Sequence, residues 1–412
     1  MFFVYNLLVI AAEFLLKIIA KFNPKMKLFV EGRKDVIPQL QAAINQTDRT
    51  IWFHAASLGE YEQGLPVIEQ IKEIYPLHKI VLTFFSPSGY EVRKNNTVAD
   101  LTIYLPLDTT QNARRFLDAL QPELAFFIKY EFWPNYLHEL RKQKTRTFLI
   151  SGIFRESQPF FKWFGGFYRK ALQSFEHFFV QNDTSKKLLT GLGYTNITVS
   201  GDTRFDRVAH ILEKDNALPF IEEFLGGKLA IVVGSSWPKD ESLLVNYING
   251  TSHEVKFIVA PHNIKADQIA ELQNSIERKT VLFSEMGSKN LAEFEVFIID
   301  TIGILTKIYS YADIAYVGGG FGNPGVHNIL EPATFGIPIV IGPNYSHFEE
   351  ATALVKLGGC LSISNQQSLN ESLDSLIVNA DIRSEKGNIC STFVQMNKNA
   401  TDTIINYIGA AK

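Results

Sequence analysis

A chain of 412 residues that is 46% hydrophobic and 20% charged is long enough for two domains of ordinary size and too apolar to be disordered. Its formal net charge of -3 makes no case for nucleic acid as a partner. Cys360 and Cys390 are its two cysteines, which excludes a disulfide framework and a cysteine zinc site and fits a reducing, cytoplasmic environment.

In chain order, Met1 to Ala20 is mostly apolar, interrupted by Asn6, Glu13 and Lys17, and Lys21, Lys25, Lys27, Arg33 and Lys34 follow closely. Basic residues after the apolar run, with no small-residue cleavage site, argue against a cleaved signal peptide. Glu13 and Lys17, one turn apart, disfavour a spanning helix. Residues 1–34 therefore read as a helix lying on, or dipping into, a membrane surface, with the basic flank meeting anionic headgroups. A core helix of the first domain is the plain alternative.

Strands are predicted at 50–56, 79–84, 101–106, 124–128, 147–150 and 178–181, with helices at 60–75, 112–120 and 133–142. That alternation implies an open parallel sheet with right-handed crossovers. An aromatic segment follows residue 154, with Phe160, Phe161, Trp163, Phe164, Phe167 and Tyr168, and reads as core, a lipid-facing surface being the alternative. No strand is predicted at 208–228. A second strand series then runs through 229–234, 256–260, 296–300, 312–317 and 337–341. The domain boundary falls near 210, giving domains 35–210 and 211–412, with the helical tail at 384–408 placed against the first domain as one option. Two such domains imply a ligand at strand carboxyl ends, in a cleft between them.

Strand 312–317 opens into Gly318-Gly319-Gly320, then Gly322, Pro324 and Gly325, and a helix is predicted at 328–335. Unpaired backbone N–H groups and a helix dipole there would favour an anion, most often a phosphate, and Glu331 could accept from ribose hydroxyls. A tight turn with Glu331 complementing the dipole is equally consistent. In the first domain, HAASLGE (His54 to Glu60) follows a strand, so Glu60 starts a helix at a strand's carboxyl end, as a general base facing a cleft would. The bland reading is a helix-start acid with Ser57 as cap. Glu131 in EFWPN also follows a strand. Arg204 in GDTRFD could neutralise a phosphate leaving group or form an interdomain salt bridge, and Gly234-Ser235-Ser236-Trp237 offers a second phosphate-sized turn. No metal-ligand spacing, Walker loop or nucleophile elbow occurs.

These blocks, in this order and over nearly the whole chain, resemble the 3-deoxy-D-manno-octulosonic acid (Kdo) transferases of lipid A biosynthesis. The blocks are EGRK at Glu31 to Lys34, HAASLGE, EFWPN, GDTRFD, GSSWPKDE, Ala260-Pro261-His262 and GGGFGNPGVHNILEPATFGIPIVIGP. The resemblance implies the GT-B fold, two Rossmann-like domains facing a cleft. It implies an inverting glycosyltransferase that moves Kdo from CMP-Kdo to the lipid A precursor (lipid IVA), without cofactor or metal, at the cytoplasmic face of the cell inner membrane. It makes Glu60 the catalytic base, with Glu131 and Arg204 assisting. The CMP-contacting positions would be Ser235, Ser236, Pro261, His262, Gly303, Ile304, Gly319, Gly320, Asn328, Ile329, Leu330 and Glu331. Departures are His262 for the family's arginine, Gly320 for serine, Lys129 for glutamate and Arg204 for lysine. Histidine is charged only part of the time near neutral pH, so the donor phosphate would lean on backbone groups or Arg204. Two other readings stay open: a GT-B transferase using a UDP-sugar on another lipid-linked glycan, and a membrane-docked nucleotide- or glycan-binding protein without catalysis.

Overall fold

The computed structural model describes residues 1–323 and 325–410, so Pro324 of the glycine-rich run lies outside the described residues. The chain divides into two compact units, Met1–Arg207 with the chain end from Lys398, and Val208–Asn397.

In the first unit the strands are β1 (Arg49–Ala55), β2 (His78–Phe84), β3 (Leu101–Tyr104), β4 (Pro122–Ile128), β5 (Arg146–Gly152), β6 (His177–Val180) and β7 (Ile197–Val199). They form one sheet in the order β3-β2-β1-β4-β5-β6-β7, every pair parallel. Runs such as LAFFI are apolar at consecutive positions because helices cover both faces of a parallel sheet. Trp52, Phe116 and Phe127 are buried on one face, Phe53, Phe126 and Phe148 on the other. Between β1 and β4 the strand order reverses direction. In open α/β sheets that point leaves a crevice at the carboxyl ends where ligands bind.

The second unit repeats the plan with β8 (Leu229–Ser236), β9 (Val255–Pro261), β10 (Thr280–Leu282), β11 (Val296–Ile298), β12 (Ile314–Val317), β13 (Ile339–Ile341) and β14 (Cys360–Ser362). Their order is β10-β11-β9-β8-β12-β13-β14, again all parallel. The direction reverses at β8 and β12, so Ser235–Trp237, where β8 ends, and Gly318–Gly320, after β12, lie at the carboxyl ends of neighbouring strands.

Differences from the sequence reading have local causes. The helix expected at 328–335 spans only Leu330–Thr334, because the Asn328 side chain accepts from the Leu330 N–H and starts the helix later. Strands β7, β10 and β14 have three residues each, too few for a periodic signal. The tail is two helices. Ala380–Asn397 belongs to the second unit, while Ala400–Ala410 lies in the first and buries Ile404 and Ile408 in its core.

The first four helices are α1 (Phe2–Ile19), α2 (Pro24–Glu31), α3 (Val36–Ala43) and α4 (Leu58–Ile74). α1 is long and apolar enough to cross a membrane. Its contacts, however, run along one side. Tyr5 donates to the Asp108 carboxylate at 2.9 Å, and Asn6 Oδ1 accepts from the Thr110 N–H at 2.8 Å. Phe2 packs its ring on Phe167. The half-exposed positions are Phe2, Tyr5, Asn6, Val9, Glu13 and Leu16, spaced by three and four, so every one faces the unit. The opposite face is apolar throughout and exposed, with Phe3, Leu7, Ile10, Phe14 (66%) and Ile18. A helix of a soluble domain is arranged the other way round.

Candidate functional site

Candidate residues of the first unit gather after β1 and β4. β1 delivers His54 into the sheet's edge, and α4 begins at Leu58, which makes Glu60 its third residue. Glu60 is 5% exposed. Ser57, the N-cap, makes no side-chain bond to the helix backbone; its hydroxyl donates to Glu60 Oε2 instead. That corrects the capping role expected for Ser57. On the other carboxylate oxygen, the Tyr130 hydroxyl donates at 3.4 Å and the Lys129 ammonium stands 3.7 Å away. Lys129 ends the β4 turn in the left-handed region (φ 72°), which swings its side chain toward α4.

Glu131 occupies a second cluster after β4. The Trp133 indole N–H lies 2.9 Å from both Glu131 Oε2 and His54 Nε2, and the same His54 nitrogen is 3.4 Å from the carboxylate. Thr83 fixes the far side of the His54 ring at 2.8 Å. Arg204 follows β7, and its guanidinium is paired with Asp202 at 2.7 Å. Asp202 in turn accepts from Gln63 of α4 at 3.0 Å, one turn beyond Glu60. Opposite charge holds the Asp202 carboxyl below its usual range, against the burial that would raise it. Glu60 and Arg204 are thereby tied to one helix. The sequence missed Ser57 as a partner of Glu60, and Tyr130 and Trp133 altogether, since neither residue type carries a spacing signal.

In the second unit the glycine-rich loop is not an open cradle. The Gly319 N–H, at φ 93°, donates to the buried Asp240 carboxylate at 2.9 Å, and the Gly318 N–H is spent on the Gly234 carbonyl. Asp240 also accepts from the Tyr316 hydroxyl at 2.8 Å and the Trp237 N–H at 3.0 Å. A Cβ at Gly320 would stand 2.7 Å from the Gly342 backbone, so this chain's glycine lets the loops after β12 and β13 close on each other. Of the unpaired amides expected in this turn, that of Gly318 is taken by the Gly234 carbonyl and that of Gly319 by the buried acid Asp240. Ile329 and Leu330 are buried in the core as well, so their side chains are not presented to a ligand.

What the second unit does present is a stack of rings beside a carboxylate. Trp237 lies 4.6 Å from His262 at an interplanar angle of 15°, and His262 lies 4.6 Å from His327. The His262 N–H is anchored on the carbonyl of buried Ser236, beside Ser235 in the left-handed region and next to Pro261. Glu331 is gripped by Asn328 at 3.0 Å and by Thr306 at 2.8 Å, the latter just past the turn at exposed Gly303 and half-buried Ile304. Burial lowers the pKa of His262, so its ring is a neutral stacking and hydrogen-bonding surface more than a phosphate cation. Among the described residues no group of three or more His, Cys, Asp or Glu is placed to hold a metal ion.

His327 accepts from the Trp237 indole at 2.9 Å, and burial, then the neighbouring His262, push its pKa down to about 4. Its neutral form therefore stabilises the fold fully above about pH 6.5, and that contribution is lost as pH falls toward 4. We expect the unfolding free energy to drop on the order of 1–3 kcal/mol across that window, the low end reflecting partial exposure. His327→Phe, which cannot titrate, should flatten the acid limb of the thermal midpoint measured against pH.

With the fold and these clusters in place, comparison with known proteins is direct. Residues 27–207 match the family described as 3-Deoxy-D-manno-octulosonic-acid transferase (kdotransferase). The 3-deoxy-D-manno-octulosonic acid transferase of Chlamydophila psittaci is 27% identical over 76% of this chain and 74% of its own length. That of Aquifex aeolicus is 28% identical over 82% and 88%. Among solved structures, a putative UDP-N-acetylglucosamine 2-epimerase from Listeria monocytogenes superposes with a TM-score of 0.60 at 11% identity, over 89% of this chain and 97% of that one. MurG of Acinetobacter baumannii gives 0.54 at 13% identity, over 88% and 99%. The two-unit fold is thus GT-B, and the chain is a relative of the Kdo transferases, a family of glycosyltransferase enzymes.

Proposed function

We propose that this relative of the Kdo transferases moves Kdo from CMP-Kdo to lipid IVA, with inversion at the anomeric carbon. Glu60 takes the proton of the acceptor's primary hydroxyl as that oxygen attacks. The bond from the anomeric carbon to the phosphate oxygen breaks, and CMP leaves with the bonding pair. Glu131 and Arg204 assist the transition state, and the second unit binds the donor through His262, Asn328 and Glu331. The observation that carries the reading is Glu60 itself, a buried carboxylate at the strand-order reversal of the first unit with Lys129, Tyr130 and Ser57 around it. Glu331, positioned by two donors, supports ribose recognition in the second unit.

We place the enzyme on the cytoplasmic face of the inner membrane, with α1 flat in the interface. Tyr5 and Asn6 bond to the first unit and the apolar face of the helix points outward, which suits a surface-bound helix and not a spanning one. Trp163, 92% exposed, and Phe164 precede the helix Gly166–Leu172, whose Phe167 touches Phe2 and Tyr5. They give the same face an interfacial aromatic anchor.

Nucleotide choice tests the donor assignment against a UDP-sugar. CMP at about 100 times its Kd should stabilise the protein by about 2.7 kcal/mol, raising the thermal midpoint, while UDP at the same concentration should leave it unmoved. A midpoint raised by UDP and not by CMP would reassign the donor.

A further inference from the structure

Beneath α1 lies a hollow of about 520 Å³ that the proposed reaction does not use. Glu13, Leu16 and Lys17 of α1 form one wall. Phe29 and Val30 of α2, Arg33 and Lys34 after it, and Ile37 of α3 form the next, with Arg115 across from them. Its charge is lopsided. Glu13 is the one carboxylate of the lining and is already bridged to Lys17 at 2.7 Å. Lys34 and Arg115 are exposed and make no ion pair among the described residues.

Arg33 is the telling group. Its guanidinium donates to three backbone carbonyls, those of Leu105 at 2.9 Å, Phe29 at 2.7 Å and Phe85, and lies 3.7 Å over the Phe29 ring. No carboxylate pairs with it among the described residues, and burial lowers its pKa to about 10, which leaves it charged at neutral pH. A cation taken out of water without a counter-ion is costly unless an anion completes the site. Leu16, Phe29, Val30 and Ile37 make much of the remaining wall apolar, and the helix above it, α1, turns its exposed apolar face outward. Cations in the lining, largely apolar walls and an outward-facing apolar helix above them match one chemistry, a phosphate that carries acyl chains.

We propose that this hollow holds the phosphate headgroup of a bilayer glycerophospholipid, its acyl chains running out past α1 into the bilayer. Arg33 supplies a half-buried charge, and Lys34 and Arg115 close over the phosphate. A volume of this size accommodates the headgroup and the first methylenes, not whole chains. The bound lipid would fix the unit's height and tilt on the bilayer. This rests on the flat placement of α1 and adds a specific lipid site to it.

Native mass spectrometry of the full chain released from detergent, after incubation with phosphatidylglycerol, tests the proposal. The wild type should retain one phospholipid mass. The charge reversal K34E/R115E should lose it, and so should Val30→Trp, which fills the hollow without changing charge. K21E/K25E, the same charge change outside the hollow, should keep it. No retained lipid on the wild type, or retention at the wild-type level by either hollow variant, overturns the site. Flotation with vesicles of equal parts phosphatidylcholine and phosphatidylglycerol separates this from the underlying reading. If α1 does not dock on membranes the wild type fails to float, whereas if only the pocket is wrong it floats without a bound lipid. Far-ultraviolet melts confirm that each variant is folded.

Discussion

Replacing Glu60 by glutamine is expected to lower the transfer rate by about 10²–10⁴-fold while leaving CMP binding intact. The substitution keeps the size of the side chain and an oxygen to accept from Ser57, yet an amide cannot take the acceptor's proton. A general base contributes about that factor, equivalent to roughly 3–5 kcal/mol of barrier. Because the proposed CMP contacts lie in the second unit, the thermal shift with CMP should match the wild type. Single-turnover rates at saturating donor read the first quantity directly. A variant that transfers at the wild-type rate would remove Glu60 from the chemistry, and one that loses both transfer and the CMP shift would point to damage of the fold instead.

The second large effect is on stability. Asp240 is fully buried and accepts from the Tyr316 hydroxyl, the Gly319 N–H and the Trp237 N–H, three groups on two segments. Asp240→Ala strands all three donors away from water and opens a void beneath the glycine loop. At about 1–3 kcal/mol for each unsatisfied group, with partial relaxation, the second unit should lose on the order of 3–5 kcal/mol. Urea unfolding monitored by the Trp237 signal would show it as a lower midpoint. Asp240→Asn, which can accept from two of the three donors, should recover part of the loss. Since the Trp237 ring carries His262, the alanine variant should weaken CMP binding even where it remains folded.

How much of this was legible in the residues follows from where each feature gets its energy. Strands such as β1, β4, β8 and β9 are continuous apolar runs because both faces of their sheets are covered, and that burial writes itself into the sequence. The position of Glu60 was legible for the same reason, since a strand that ends in a small-residue turn must hand the next side chain to the sheet's carboxyl edge. The fate of the glycine loop was not. Gly319 looks free in the sequence, and only the tertiary fold brings Asp240, 79 residues earlier, under its amide. Lys129 was visible as a departure from the family pattern, but its approach to Glu60 depends on a left-handed turn that a lysine does not announce. The orientation of α1 lay in between. Tyr5, Asn6, Glu13 and Lys17 fall on one helical face by counting alone, yet without Asp108 and Thr110 to receive them that face could equally have been the wet one.

The most direct measurement is incubation of the purified full chain with CMP-Kdo and lipid IVA, followed by mass spectrometry of the extracted lipid. A transferase of the kind described yields lipid heavier by Kdo, together with free CMP, and Glu60→Gln yields almost none of either over the same time. Unmodified lipid after prolonged incubation with the folded, CMP-binding wild type would contradict the assignment.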